Sequence, residues 1–442
     1  MSGHVCAARV AKGDIMQIAL RYGRSLLPIS LPDDIDVTVI RKPAMPIITS
    51  PEETIQAALA NPLNCEPLSA LSGRASTACI VICDITRPVP NHMFLRPLVD
   101  VLVSAGMPLA GIRILVATGL HRANEGEELA ELIGDPWVVE NVQIENHFAR
   151  NDDLHVTLGE TKTRGTTVRL NKHFVNADIK IVTGLVEPHF MAGYSGGRKV
   201  IAPGIAHAET ITTFHSARFM ADPAAANCNF VDNPLHEEQL EIVRMLGGAL
   251  ALNTVIDEDR NLSFVNFGEI ASSHAAAVEF ARGYCEVQAS RQFSTILTCA
   301  AGYPLDKTYY QTIKGMVGAM GILKPGGDLI IASECSEGMG SPEFIDAQRR
   351  LVELGPDAFL ESILKKSHAD IDEWQTQMQL KPMGIGAIHL YAPDLTSDDQ
   401  KLVGVKVVHD LESTIRESVQ RTGDHSIAVI PEGPYVVPTY VK

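Results

Sequence analysis

Ala78-Cys79-Ile80-Val81-Ile82-Cys83-Asp84-Ile85-Thr86-Arg87-Pro88-Val89-Pro90 passes from an unbroken apolar run into a polar loop bounded by prolines. A strand with one wet face alternates apolar and polar residues. Ala78 to Cys83 does not, so it reads as a strand covered on both faces, as in a parallel sheet between helical layers. Ile112 to Ala117 is built the same way and ends in Thr118-Gly119-Leu120-His121-Arg122. Ile179 to Thr183 is a third such run, and Val142 to Glu145 a further strand candidate. Met93 to Ala105 and Gly126 to Ile133 read as helices between them. This alternation predicts an α/β fold with largely parallel sheets.

A second series begins near Phe293. Ser294 to Cys299, Asp328 to Ala332, Gly386 to Tyr391, Val403 to Val408 and Ser426 to Ile430 are its strand candidates. Leu305 to Leu323, Pro342 to Glu353 and Phe359 to Lys366 are its helices. At 442 residues the chain exceeds what one hydrophobic core serves. The expected organisation is therefore two α/β domains, 1–285 and 286–424, with Ala275 to Ser290 as a connecting helix. The proline-rich end, 425–442, reads as an extended strap returning to the first domain.

Composition narrows the function classes. Hydrophobic residues make up 45% and charged residues 20%, as in an ordinary folded chain. A net charge of −16 with no basic stripe argues against nucleic acid as a partner. The eight cysteines contain no C-x-x-C pair, which suggests neither a disulfide framework nor a structural zinc. Met1 to Gly13 has no apolar leader core and no stretch is long and apolar enough to span a bilayer, so a cytoplasmic location is expected.

The densest chemistry is Glu187-Pro188-His189-Phe190-Met191-Ala192-Gly193-Tyr194-Ser195-Gly196-Gly197-Arg198-Lys199, after the Ile179 strand. Gly193, Gly196 and Gly197 let backbone amides approach an anion closely, and Arg198 and Lys199 follow. It is neither a Walker A loop nor a dinucleotide fingerprint. Taken alone it fits an anion site or a structural turn. If the three strands are parallel, their loops crowd one sheet edge and make Arg87, His121, His189 and Lys199 neighbours. Singly, His121 reads equally as a capping or core histidine. His215, in the helical-looking Ala208 to Met220, reads first as an ordinary buried or surface histidine. No zinc spacing joins these histidines.

Asp84-x-Thr86-Arg87-Pro88, Gly119-Leu120-His121-Arg122 and Glu187 through Lys199 together resemble the nickel-pincer lactate racemase family. The similarity extends from Leu20-Arg21-Tyr22-Gly23 to Tyr310-Gln311-x-x-Lys314-Gly315. The resemblance implies a nickel-pincer nucleotide, a pyridinium-3-thioamide-5-thiocarboxylic acid mononucleotide with nickel, attached to Lys199 and loaded by separate maturation proteins. It implies His215 as the nickel ligand and His121 and His189 as the acid/base pair. Asp84, Thr86, Ser195, Gly196, Gly197 and Arg198 would bind the cofactor. Arg87, Tyr310, Gln311, Lys314 and Trp374 would hold the substrate, in a cleft between the domains that closure completes. The implied activity is racemisation or epimerisation of a 2-hydroxy acid. Leu120 stands where the lactate-specific pattern has threonine, which leaves lactate, malate, 2-hydroxyglutarate, an aromatic lactate and a sugar acid open as substrates. Two other readings compete: a nucleotide- or anion-binding protein without turnover, and a hydrolase or lyase with a directly bound metal.

Overall fold

The computed structural model describes residues 16–31 and 34–441; the readings of Met1 to Gly13 and of Cys6 lie outside them. The chain forms two compact units. Of the described residues, one comprises 44–215 and 230–282, the other 16–31, 34–43, 216–229 and 283–441.

The first unit is built on a six-stranded sheet. Its order is Leu262–Glu269, Leu250–Ile256, Ile179–Leu185, Ala78–Cys83, Ile112–Ala117, Gln143–Asn146. Every neighbouring pair is parallel except the first, which is an antiparallel hairpin. Ile80, Val81, Ile82, Ile114, Leu115 and Val116 are fully buried, as the unalternating apolar runs require. The helix Asn91–Ser104 covers one face with Phe94, Leu95, Leu98 and Leu102. From Ala78–Cys83 the chain steps outward through two strands to one edge. It then returns to place Ile179–Leu185 on the other side of Ala78–Cys83. The connections leaving these two neighbours run in opposite directions, which opens a crevice at their carboxyl ends.

The second unit holds a six-stranded, all-parallel sheet. Its order is Lys406–Val407, Ala387–Tyr391, Leu323–Ala332, Phe293–Cys299, Ser426–Ile430, Asp36–Val39. A hairpin of Met16–Tyr22 and Ser25–Leu31 packs Ile18, Leu20, Ile29 and Leu31 into the same core as Leu297, Ile330 and Ile427.

The two-domain α/β class stands, but the domain limits change. Residues 34–43 belong with the C-terminal part because Asp36–Val39 pairs with Ser426–Ile430. The strap belongs to the same unit: Val437–Tyr440 pairs in parallel with Glu286–Ala289. The connecting helix spans Ile270–Cys285 and stops where that strand begins. Leu305 to Leu323 yields a shorter helix, Tyr309–Ala319, because Thr308 caps its start by accepting the Gln311 amide. Among the described residues no helix is long and apolar enough to cross a membrane.

Candidate active site

Three loops leave the carboxyl edge of the first sheet at and beside its crevice. In the first, Asp84 is buried and accepts from the Thr86 hydroxyl at 2.6 Å. Its other oxygen lies 2.6 Å from Nδ1 of His121, which the second loop supplies. Burial alone would raise the Asp84 carboxyl. The hydrogen bond and charge of His121, the Thr86 hydroxyl and the Arg87 charge outweigh burial and hold it below the usual carboxylate range. When the His121 ring is neutral, an ionised Asp84 holds its one proton on Nδ1 and the lone pair is on Nε2, on a side chain that is 54% exposed. Arg87 forms an ion pair with Glu187 of the third loop.

The third loop folds as a tight hairpin, Pro188–His189 against Gly193–Tyr194. Ser195 Oγ donates to Leu185 O at 2.7 Å and accepts from the Glu187 amide at 3.1 Å, so its hydroxyl clamps the hairpin base. Buried His189 accepts the Ala192 amide on Nδ1 at 3.3 Å. That partner puts its proton on Nε2, the opposite tautomer to His121. Gly197 has φ +49, and a Cβ there would lie 2.7 Å from the His274 ring. Only glycine fits this turn.

Arg198 and Lys199 differ sharply. Arg198 is 1% exposed and donates to the carbonyls of Ala192 at 2.8 Å and Tyr194 at 3.0 Å. Its guanidinium also lies 4.8 Å from the Phe230 ring. It was expected among the cofactor contacts, yet these partners make it an internal anchor of the loop. Lys199 keeps some accessible area, but its ammonium is buried enough to lose most of its hydration. Loss of hydration, with repulsion from Arg87 and Arg198, pushes it down to about 7. A substantial neutral fraction at neutral pH makes this amine a nucleophile.

His215 ends the helix Ala208–Phe214 and is buried. Its Nδ1 donates to Ile211 O at 3.0 Å, which leaves the Nε2 lone pair as a donor to a metal. Burial first, then the Lys199 charge, lowers its pKa to about 3, so the ring is neutral. Among the described residues no group of three or more histidine, cysteine or acidic side chains is placed to hold a metal.

The second unit contains the other four candidates. Tyr310, Gln311 and Lys314 are half-buried on Tyr309–Ala319, a helix whose remaining residues are buried. Spacings of three and four place Lys314 on one face with the other two. Trp374 lies near the start of Glu373–Met383, and the adjacent Gln375 donates to the Tyr310 carbonyl at 2.5 Å. Glu187 was not singled out from its motif, although an acid two residues before a site histidine was the available signal. Cys83 ends the strand that feeds the first loop, and burial pushes its thiol up to about 12.

Residues 22–227 match the family profile of the lactate racemase N-terminal domain, and residues 289–437 that of the lactate racemase C-terminal domain. The lactate racemase of Thermoanaerobacterium thermosaccharolyticum is 30% identical over 426 residues, 95% of this chain and 98% of that one. The lactate racemase of Lactiplantibacillus plantarum is 31% identical over 396 residues, 88% and 91% of the two chains. The solved lactate racemase apoprotein of the former organism superposes with a TM-score of 0.87 at 29% identity, covering 96% of this chain and all of that one. A Thermotoga maritima protein shares the fold, with a TM-score of 0.64 at 19% identity over 88% of this chain and 98% of that one.

Proposed function

Because the chain belongs to the lactate racemase family, we propose that it interconverts the two configurations of a 2-hydroxy acid. In this reading His121 and His189 exchange protons with the substrate, and Lys199 carries a covalently attached nickel-pincer nucleotide. The observation that carries the proposal is that His121 Nδ1 lies 2.6 Å from a carboxylate oxygen of Asp84 while His189 Nδ1 accepts the Ala192 amide at 3.3 Å, partners that favour opposite tautomers. One offers a lone pair and the other a proton, as a reaction that runs in both directions needs.

The residues fit the cofactor on two counts. Lys199 is an amine held near neutrality, suited to an amide-type link. His215 is a neutral imidazole whose second nitrogen is tied to a carbonyl, the arrangement of an oriented single metal ligand. When bound, such a group supplies reversible hydride acceptance from the α-carbon, which avoids a carbanion beside a carboxylate. The chain's own residues do the rest. His121 Nε2 takes the hydroxyl proton while the ionised Asp84 stabilises the imidazolium that results. His189 Nε2 holds a proton for return, and the two exchange roles in the reverse direction. Arg87 binds the substrate carboxylate, its guanidinium oriented by Glu187. Tyr310, Gln311, Lys314 and Trp374 are assigned to the substrate by resemblance alone. Leu120 beside His121 widens the candidate substrates beyond lactate to malate, 2-hydroxyglutarate, aromatic lactates and sugar acids.

Intact mass with peptide mapping tests this reading on protein made with and without the cofactor-making enzymes. The expected result is an adduct on Lys199, absent in Lys199→Ala, together with racemisation of an enantiopure 2-hydroxy acid. No adduct, with a control racemase loaded in the same cells, refutes it and favours a nucleotide- or anion-binding protein without turnover.

A further inference from the structure

The loop that carries His121 is strapped at both ends to the next strand's loop. At its start, Thr118 Oγ1 donates to His147 O at 2.5 Å. At its end the strap is reciprocal: the Asn124 amide donates to Asn146 Oδ1 at 2.9 Å, and Asn146 Nδ2 donates to Asn124 O at 2.8 Å. The Asn124 side chain, 2% exposed, then reaches the opposite way. Its Oδ1 accepts the Ile85 amide at 3.3 Å and its Nδ2 donates to Glu128 at 2.6 Å. Glu128 in turn takes both terminal nitrogens of Arg122, the residue after His121, at 2.6 and 2.7 Å. Ile85 follows Asp84 directly. One buried side-chain amide thus joins the loop that carries His121 to the loop that carries Asp84, and Asn146 fixes the Asn124 backbone to the sheet edge.

Nothing covalent or helical sets the 2.6 Å separation of Asp84 and His121. The two lie on different loops, and His121 is half-exposed, so their separation depends on how the two loops are held against each other. We propose that Asn124, held by Asn146, is a positioning residue: it sets the register between the two loops and so keeps His121 on Asp84 with its proton on Nδ1. This rests on His121 acting as a base. A misplacement of about 1 Å costs on the order of 100-fold in rate even when the reacting group is intact.

The test has two readouts. In the loaded enzyme, Asn124→Ala lowers kcat roughly 10- to 100-fold with KM within about threefold. In an Asp84→Asn background the same substitution adds little, because the contact it protects is already gone. In the chain without cofactor, nitrogen NMR of His121, assigned by its loss in His121→Gln, reports the Nδ1–H tautomer in the wild type and a mixture in Asn124→Ala. If Asn124→Ala does not fold, Asn146→Ala removes the reciprocal strap from the partly exposed side and is read the same way. An unchanged kcat, an equal loss in the Asp84→Asn background, or an unchanged tautomer overturns the proposal. A wild type that is loaded but racemises no 2-hydroxy acid overturns the functional reading instead, and the tautomer measurement still decides the strap.

Discussion

Asp84→Asn replaces one oxygen by an amide of the same shape, so what it changes is charge and proton placement. Thr86 donates its hydroxyl to Oδ1 at 2.6 Å, which keeps the amide oxygen on the Thr86 side. The amide nitrogen then faces His121 Nδ1 and needs an acceptor there. The imidazole meets that need by moving its proton to Nε2, and the nitrogen that should take the substrate proton arrives already protonated. The lost charge adds to this. Two unit charges at about 4 Å interact by roughly 4 kcal/mol where the effective dielectric is near 20. The 54% exposure of His121 brings that toward the lower half of the range. About 1–2 kcal/mol of lost imidazolium stabilisation corresponds to a fall in kcat of roughly 5- to 30-fold, to which the wrong tautomer adds. The assay is racemisation of an enantiopure 2-hydroxy acid under saturation, normalised to cofactor content by intact mass so that poor loading is not mistaken for poor chemistry. A loaded variant within threefold of wild type would refute the pairing as the source of basicity.

Gly197→Ala puts a Cβ 2.7 Å from the His274 ring at φ +49, and strain plus overpacking should cost about 2–4 kcal/mol, seen as a lower thermal midpoint. Arg87→Lys keeps the charge but loses the planar fork that serves Glu187 and a carboxylate together, so KM should rise about tenfold with a smaller change in kcat. Burial holds His147 and His215 down at about 3, against about 6.5 in an unfolded chain, so the folded state binds fewer protons between those values. Stability should therefore fall as pH drops from 6.5 toward 3, by about 1.4 kcal/mol per group at pH 5.5. Thermal melts at pH 7.5 and 5.5 measure this; His147→Gln should lose less on acidification, and an equal loss would count against a neutral buried His147.

What could be read from the chain alone was whatever burial writes into neighbouring residues. Ala78–Cys83, Ile112–Ala117 and Ser426–Ile430 have the limits expected of them because their apolar runs end at turn residues, and Gly126–Ile133 because Gly134 ends its amphipathic pattern. Asp36–Val39 was missed for the opposite reason. Four residues at a sheet edge, with only Val37 and Val39 buried, carry too short a pattern to stand out, and their partner lies at Ser426–Ile430. That one unseen pairing moved 34–43 into the unit that holds the C-terminal part. The site divides in the same way. His121, His189 and Lys199 stood out because each belongs to a motif contiguous in sequence. Asn124 and Asn146 did not, because an asparagine in a polar loop is the commonest of turn residues, and only the fold shows that 22 positions of chain return to form two reciprocal hydrogen bonds. Groups that do chemistry are recognisable one at a time. Groups that aim them depend on which loops a parallel sheet brings side by side, and here the switch in strand order beside Ala78–Cys83 decides that.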